Sequence, residues 1–235
     1  YLVQVNFSEA VNPMTVNGRR AMIRIVRGVA GSSDEVIAGK FMVSPTFTAT
    51  EFVPDLACGQ NACGETIYCL PPNARINVRA LAATLARAGE PTAASPFDGI
   101  TDMAANSLDG DADTRADGPP TDDYPWYFGT SDHIELSSPA ISATIPAAGQ
   151  RDVRRLGDVV QADFTKPLRV IFPPGTLELQ TENQGRMTPF AGHQQTRAEN
   201  RAERGSLFLR VWTPLDGDTP YTPKIASTVH DLYQN

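Results

Sequence analysis

Two stretches of the chain hold residues whose type and spacing could do chemistry. Residues 109–124 read DGDADTRADGPPTDDY. Asp109, Asp111 and Asp113 stand at alternate positions, a spacing that lets carboxylates converge on Ca²⁺, a hard cation that takes several oxygen ligands. The stretch is not an EF-hand loop, because Thr114 stands where that loop needs Gly and Pro120 where it needs a closing Glu. Asp117, Asp122 and Asp123 would complete a looser cage. A solvated acidic loop between strands is the plainer reading and is preferred to calcium. Asp98 and Asp102, in the run DGITD, read as acceptors for backbone amides in turns.

The second stretch, residues 58–69, reads CGQNACGETIYC and holds all three cysteines, Cys58, Cys63 and Cys69. Their spacing matches neither a C-x-x-C redox motif nor a zinc knuckle, and no His lies close by. A disulfide that staples a loop is therefore preferred to a metal, and it would place the chain in an oxidising, extracytoplasmic compartment. The spacing does not decide the pairing; Cys58 with Cys63 or with Cys69 is favoured, and the odd thiol is free, bonded to another chain or bonded to residues outside this piece.

The remaining candidates are weaker. His133, His193 and His230 are isolated, without HExxH or paired-ligand spacing. No G-x-S-x-G elbow, phosphate-binding loop or dinucleotide fingerprint occurs. Tyr124, Trp126, Tyr127 and Phe128 could form a carbohydrate platform, but alternation turns Trp126 and Phe128 inward and leaves Tyr127 outside. Arg197, Arg201 and Arg204 interleave with Glu199 and Glu203, the pattern of a solvated, self-compensating face. With a net charge of −7 and a pI near 5.0, nucleic acid is not an expected partner. No apolar run approaches the roughly 20 residues that span a bilayer.

These residues need elements to position them, and the elements read as short strands. Gly and Pro are spread at turn-like intervals rather than gathered in one tract. Residues 3–11 (VQVNFSEAV) recur as residues 160–168 (VQADFTKPL). Each copy alternates apolar and polar: Val3, Val5 and Phe7, then Val160, Ala162 and Phe164. Period two predicts a strand with one buried face, and the recurrence predicts a duplicated domain. Ile141, Ala143 and Ile145 alternate ahead of the second copy as an opening strand should. The first copy has no such strand before it, so the chain reads as a piece of something longer. Further strands are expected at 21–26, 41–43, 46–53, 66–70, 76–81, 124–128, 168–172, 176–179 and 207–212. Residues 80–88 (ALAATLARA) fit a strand or a short helix equally. Strands of this kind between Pro/Gly turns indicate an all-β sandwich or barrel.

An ordered set of motifs sharpens the expectation. Val5-Asn-Phe-Ser-Glu-Ala-Val-Asn-Pro13 is followed by Phe52-Val-Pro54, Tyr68, Asp102-Met-Ala-Ala-Asn-Ser-Leu108 and Trp126-Tyr-Phe-Gly-Thr130. The set resembles the bacterial Ig-like modules found in tandem in secreted, lipid-anchored and surface proteins. It departs at Ala105, where those modules have Gly. The resemblance implies two tandem immunoglobulin-like antiparallel β-sandwiches: residues 1–132, lacking a first strand, a linker at 133–138, and residues 139–235. The second matches only from Pro139 to Leu168 and is divergent or cut short. Its polar run at 181–206 reads as an inserted loop open to a partner subunit. The implied role is a non-catalytic stalk, adhesin segment or accessory subunit. The alternatives are a non-catalytic appendage of a secreted enzyme and a calcium-dependent carbohydrate-binding module.

Overall fold

Alternation becomes paired strand through most of the chain. The computed structural model describes residues 1–16, 23–28, 35–154, 159–171, 176–183, 186–189, 194–201, 204–211 and 214–235. The chain folds as two compact units, one of residues 1–60 and 65–135 and a second of residues 61–64 and 136–235.

The first unit holds β1 (Val3–Asn6), β2 (Ile23–Arg27), β3 (Glu35–Val36), β4 (Gly39–Val43), β5 (Ala49–Pro54), β6 (Ala57–Gln60), β7 (Thr66–Tyr68), β8 (Arg75–Ala80) and β9 (Tyr124–Gly129). A four-residue helical turn, α1 (Pro13–Val16), follows β1. Asn12 begins it by accepting the Met14 amide at 3.1 Å, and Pro13 takes the first helical position, where its missing N–H costs nothing. The strands form a sheet ordered β1-β5-β4, a sheet ordered β3-β2-β8-β9 and the hairpin β6-β7. All the named pairings are antiparallel.

One apolar core closes both sheets of this unit. Ile76, Val78 and Ala80 point inward from β8 while Arg75 and Arg79 point out. Val3 of β1, Phe52 of β5, and Ile23 and Ile25 of β2 join them. Trp126 and Phe128 of β9 are half-buried against the same cluster, as alternation predicts. Each fully buried aliphatic side chain is worth roughly 1.5–3 kcal/mol of transfer free energy. The motif residues thus have structural work. Thr130 accepts the Ala74 amide at 3.0 Å and donates to the Pro71 carbonyl at 2.6 Å. Ala105 holds φ at 68°, a left-handed conformation that Gly adopts at less cost than Ala.

Two expectations for this unit change. Residues 80–88 are neither helix nor continued strand: past Ala80, only Ala82 and Leu85 form isolated bridges, with Ile100 and Ala93. Residues 81–123 instead run as a long connection between β8 and β9, held by such bridges. Gly99 lets it lie close, because a Cβ there would sit 2.1 Å from the Ala82 oxygen. The strand expected at 46–53 starts only at Ala49, because Phe47 turns the chain with φ 59°.

The second unit holds β10 (Ile141–Ile145), β11 (Val159–Phe164), β12 (Leu177–Asn183), β13 (Arg186–Pro189), β14 (Gln194–Arg201), β15 (Arg204–Val211) and β16 (Tyr221–Ile225). They pair as β10-β11-β15-β14 and β13-β12-β16. Val160, Ala162 and Phe164 of β11 meet Leu177 and Leu179 of β12 and Leu207 and Leu209 of β15 in a separate core.

In this unit three expectations change. Residues 181–206 are not an inserted loop: they supply the end of β12, all of β13 and β14, and the start of β15. β13 and β14 lie at sheet edges, where polar and charged residues are normal, so no apolar alternation marks them. β14 is recognised only through its register with β15, from Gln194↔Val211 to Arg201↔Arg204. The strand expected at 168–172 reduces to a single bridge, Leu168↔Asp231, with residues 169–171 outside any strand. β10 pairs with β11, but all five of its residues are exposed, so its alternation marks no buried face. His193 and Trp212 lie outside the described residues.

Candidate functional site

The acidic connection is folded back on itself at Gly110. Its amide donates to the Asp122 carbonyl at 2.9 Å, and a Cβ there would stand 2.3 Å from that same oxygen. Only glycine allows the two backbones so near, and the approach carries the flanking Asp109 and Asp111 up to Asp122. Carboxylate oxygens of these three residues lie within 4.8 Å of one another. Asp109 and Asp122 line a cleft of about 510 Å³ together with Thr114, Arg115 and Asp117.

The hydrogen bonds sort the acidic residues. Asp109 accepts the Thr114 amide at 3.0 Å, across a turn in which Ala112 and Thr114 hold φ 59° and 69°. Thr114 thus takes the left-handed conformation for which an EF-hand loop uses Gly. Asp111 accepts the Asp113 amide at 3.3 Å. Asp113 turns elsewhere: it accepts the Arg115 amide at 2.8 Å and pairs with the Arg115 guanidinium at 3.9 Å. Asp122 is 1% exposed. Its Oδ2 accepts the Asp117 and Gly118 amides at 3.0 and 2.7 Å, while its Oδ1 is buried with no hydrogen-bond partner. Asp123 is committed to the scaffold, accepting the Ala82 amide at 2.7 Å and pairing with Arg79 at 2.6 Å. Asp117 is exposed and enters the cluster only through its amide.

Asp111 carries the electrostatic mark of the cluster. Loss of water around its carboxyl, followed by the charge of Asp113, the Asp109 carboxyl and Asp122, pushes its pKa above the ordinary value, against the lowering effect of the Asp113 amide.

Of the sequence-predicted trio, the structure brings Asp109 and Asp111 together, and the third carboxylate grouped with them is that of Asp122 rather than Asp113. The usable signal was Gly110 between two aspartates, together with an Asp-Asp pair directly before β9. Which Asp of that pair faces the cluster depends on how the chain folds back. Asp98 and Asp102 serve turns as expected: Asp98 accepts the Thr84 amide at 2.8 Å, and Asp102 accepts those of Ala104 and Asn106 at 2.8 and 2.7 Å.

Of the cysteines, Cys58 and Cys69 are bonded, with Cα atoms 5.8 Å apart, and Cys63 is an exposed free thiol. The bond ties β6 to the residue that follows β7. No family model, curated protein or solved structure matches the chain. Its function must be argued from its own residues.

Beside the acidic cluster, Tyr124 and Trp126 line a groove of about 730 Å³ together with Asn6, Phe7 and Asp109. Their rings stand 5.5 Å apart and tilted by 47°, so they present no flat platform. Tyr127 faces the other way, under the Arg75 guanidinium at 3.8 Å. His133 is exposed, and His230 places Nδ1 3.0 Å from the Thr228 carbonyl. Among the described residues, no helix is long and apolar enough to cross a membrane.

Proposed function

We propose that this chain is a non-catalytic structural and interaction segment of an extracytoplasmic protein, built from two immunoglobulin-like modules in tandem. The observation that carries the reading is the division into two all-β units, each with antiparallel sheets around its own apolar core. Such a unit transmits load and presents loops without needing a catalytic centre. The disulfide between Cys58 and Cys69 supports an oxidising compartment. The motif residues Phe52, Asp102, Trp126, Phe128 and Thr130 support the Ig-like assignment, since each packs or ties the first unit.

Single-molecule stretching of the chain tests the proposal. Two separate unfolding steps are expected. The disulfide shields a separation of 11 residues, so reductant should lengthen only the first unit's step, by about 35 Å at about 3.5 Å per residue. One cooperative step for the whole chain would sink the two-module reading. Protein taken from its own cells and alkylated without reductant should carry one label, on Cys63; labelling of all three cysteines would remove the oxidising compartment.

A further inference from the structure

We propose that Asp109, Asp111 and Asp122 form a binding site for one Ca²⁺ ion in the first unit. The proposal needs only residues 109–122, so it stands or falls separately from the tandem-module reading.

Three carboxylates within 4.8 Å of one another repel, and an acidic cluster alone is ordinary on a protein surface. Asp122 makes this one different. It is 1% exposed, its Oδ2 is committed to two backbone amides, and its Oδ1 is buried without any partner. A buried carboxylate oxygen left unsatisfied costs several times what an exposed one does. Oδ1 is the oxygen of Asp122 left to meet a cation, beside the two exposed carboxylates that Gly110 brings to it. Among the described residues no Lys or Arg is paired with these three carboxylates: Arg115 goes to Asp113 and Arg79 to Asp123.

The donor set selects the ion. All three donors are hard carboxylate oxygens, which favours Ca²⁺ or Mg²⁺ over zinc or copper. Two of them sit on an exposed loop, and Ca²⁺ accepts irregular geometry with 6–8 oxygens, whereas Mg²⁺ demands a compact octahedron. Water and backbone carbonyls would fill the remaining positions. The ion would pin Asp109 and Asp111, from the middle of the β8–β9 connection, to Asp122, two residues before β9.

Calorimetric titration of the EDTA-treated chain with CaCl₂ tests this, alongside terbium luminescence sensitised by Tyr124 and Trp126, which line the adjoining groove. One site per chain is expected, with a dissociation constant on the order of 10⁻⁴–10⁻³ M, the range of extracellular modules. Asp111→Asn, at an exposed position, should fold normally and weaken binding about tenfold or more, since affinity follows ligand charge. Asp122→Asn should do the same, with its fold checked by circular dichroism. Asp113→Asn should weaken binding less than Asp111→Asn does, because its carboxylate is turned to Arg115 and acts on the site only through its charge. A folded wild type that gives no heat and no terbium signal at about 10 mM ion would overturn the proposal. So would Asp111→Asn binding with wild-type affinity, or Asp113→Asn losing as much as Asp111→Asn.

Discussion

Replacing Gly110 by alanine tests how the acidic connection is held. The added Cβ would stand 2.3 Å from the Asp122 oxygen and 2.8 Å from both the Asp123 carbonyl carbon and the Tyr124 nitrogen. All three are backbone atoms at the entry to β9, so no side chain can swing away to make room. A comfortable carbon–oxygen contact is about 3.3–3.6 Å, so the two backbones must part by roughly 1 Å. Overpacking of this kind costs about 1–3 kcal/mol. The parting also breaks the 2.9 Å bond from the Gly110 amide to the Asp122 carbonyl, worth about 1 kcal/mol. The sum is about 2–4 kcal/mol. For a unit of this size that lowers the first thermal transition by about 10 °C. The assay is calorimetric or near-ultraviolet melting of the intact chain in EDTA, which keeps any bound cation out of the comparison. Gly129→Ala is the control, since a Cβ there meets nothing within 4 Å. A Gly110→Ala transition within about 1 °C of wild type, well below the shift worked above, would refute the close-approach argument.

Two further outcomes are expected. Ala105 holds a left-handed φ of 68°, which costs an L-residue about 1 kcal/mol, so Ala105→Gly should raise the first transition by a few degrees; a fall would mean that the alanine methyl packs usefully. In the second unit, Asp231 is fully buried and burial pushes its pKa up, against the Asn235 and Tyr233 amides and the Lys166 ammonium at 3.6 Å. A raised carboxyl pKa stabilises the fold below the ordinary value near 3.8 and loses that contribution as pH rises through the folded value. The stability difference between wild type and Asp231→Asn, followed by denaturant titration, should therefore move against wild type as pH rises from about 4. A flat difference would show that Asp231 titrates normally.

Much of the fold was legible because a strand with one buried face must alternate. β1, β8, β9 and β11 could be read directly from Val3, Ile76, Trp126 and Val160 and their neighbours. Strands whose place depends on a partner were not legible. β14 has no apolar alternation, and only its pairing with the Leu207–Leu209 segment makes it strand. β10 alternates well and still buries nothing. The cysteines show the same division: their cluster pointed to a disulfide, but the choice of Cys69 over Cys63 needed the β6–β7 hairpin to bring the two ends together.

From sequence alone came the all-β class, from period-two alternation between Pro/Gly turns, and the acidic segment as a place where carboxylates gather. These are local properties, set by backbone geometry and by like charges close in the chain. The identity of the third carboxylate, Asp122, was decided by tertiary structure. Asp113 is nearer to Asp109 and Asp111 along the chain, but the Gly110 amide binds the Asp122 carbonyl, while the Asp113 carboxylate faces the Arg115 amide and side chain. Approaches between residues distant in sequence settle which charges meet, and no spacing rule within the segment contains them.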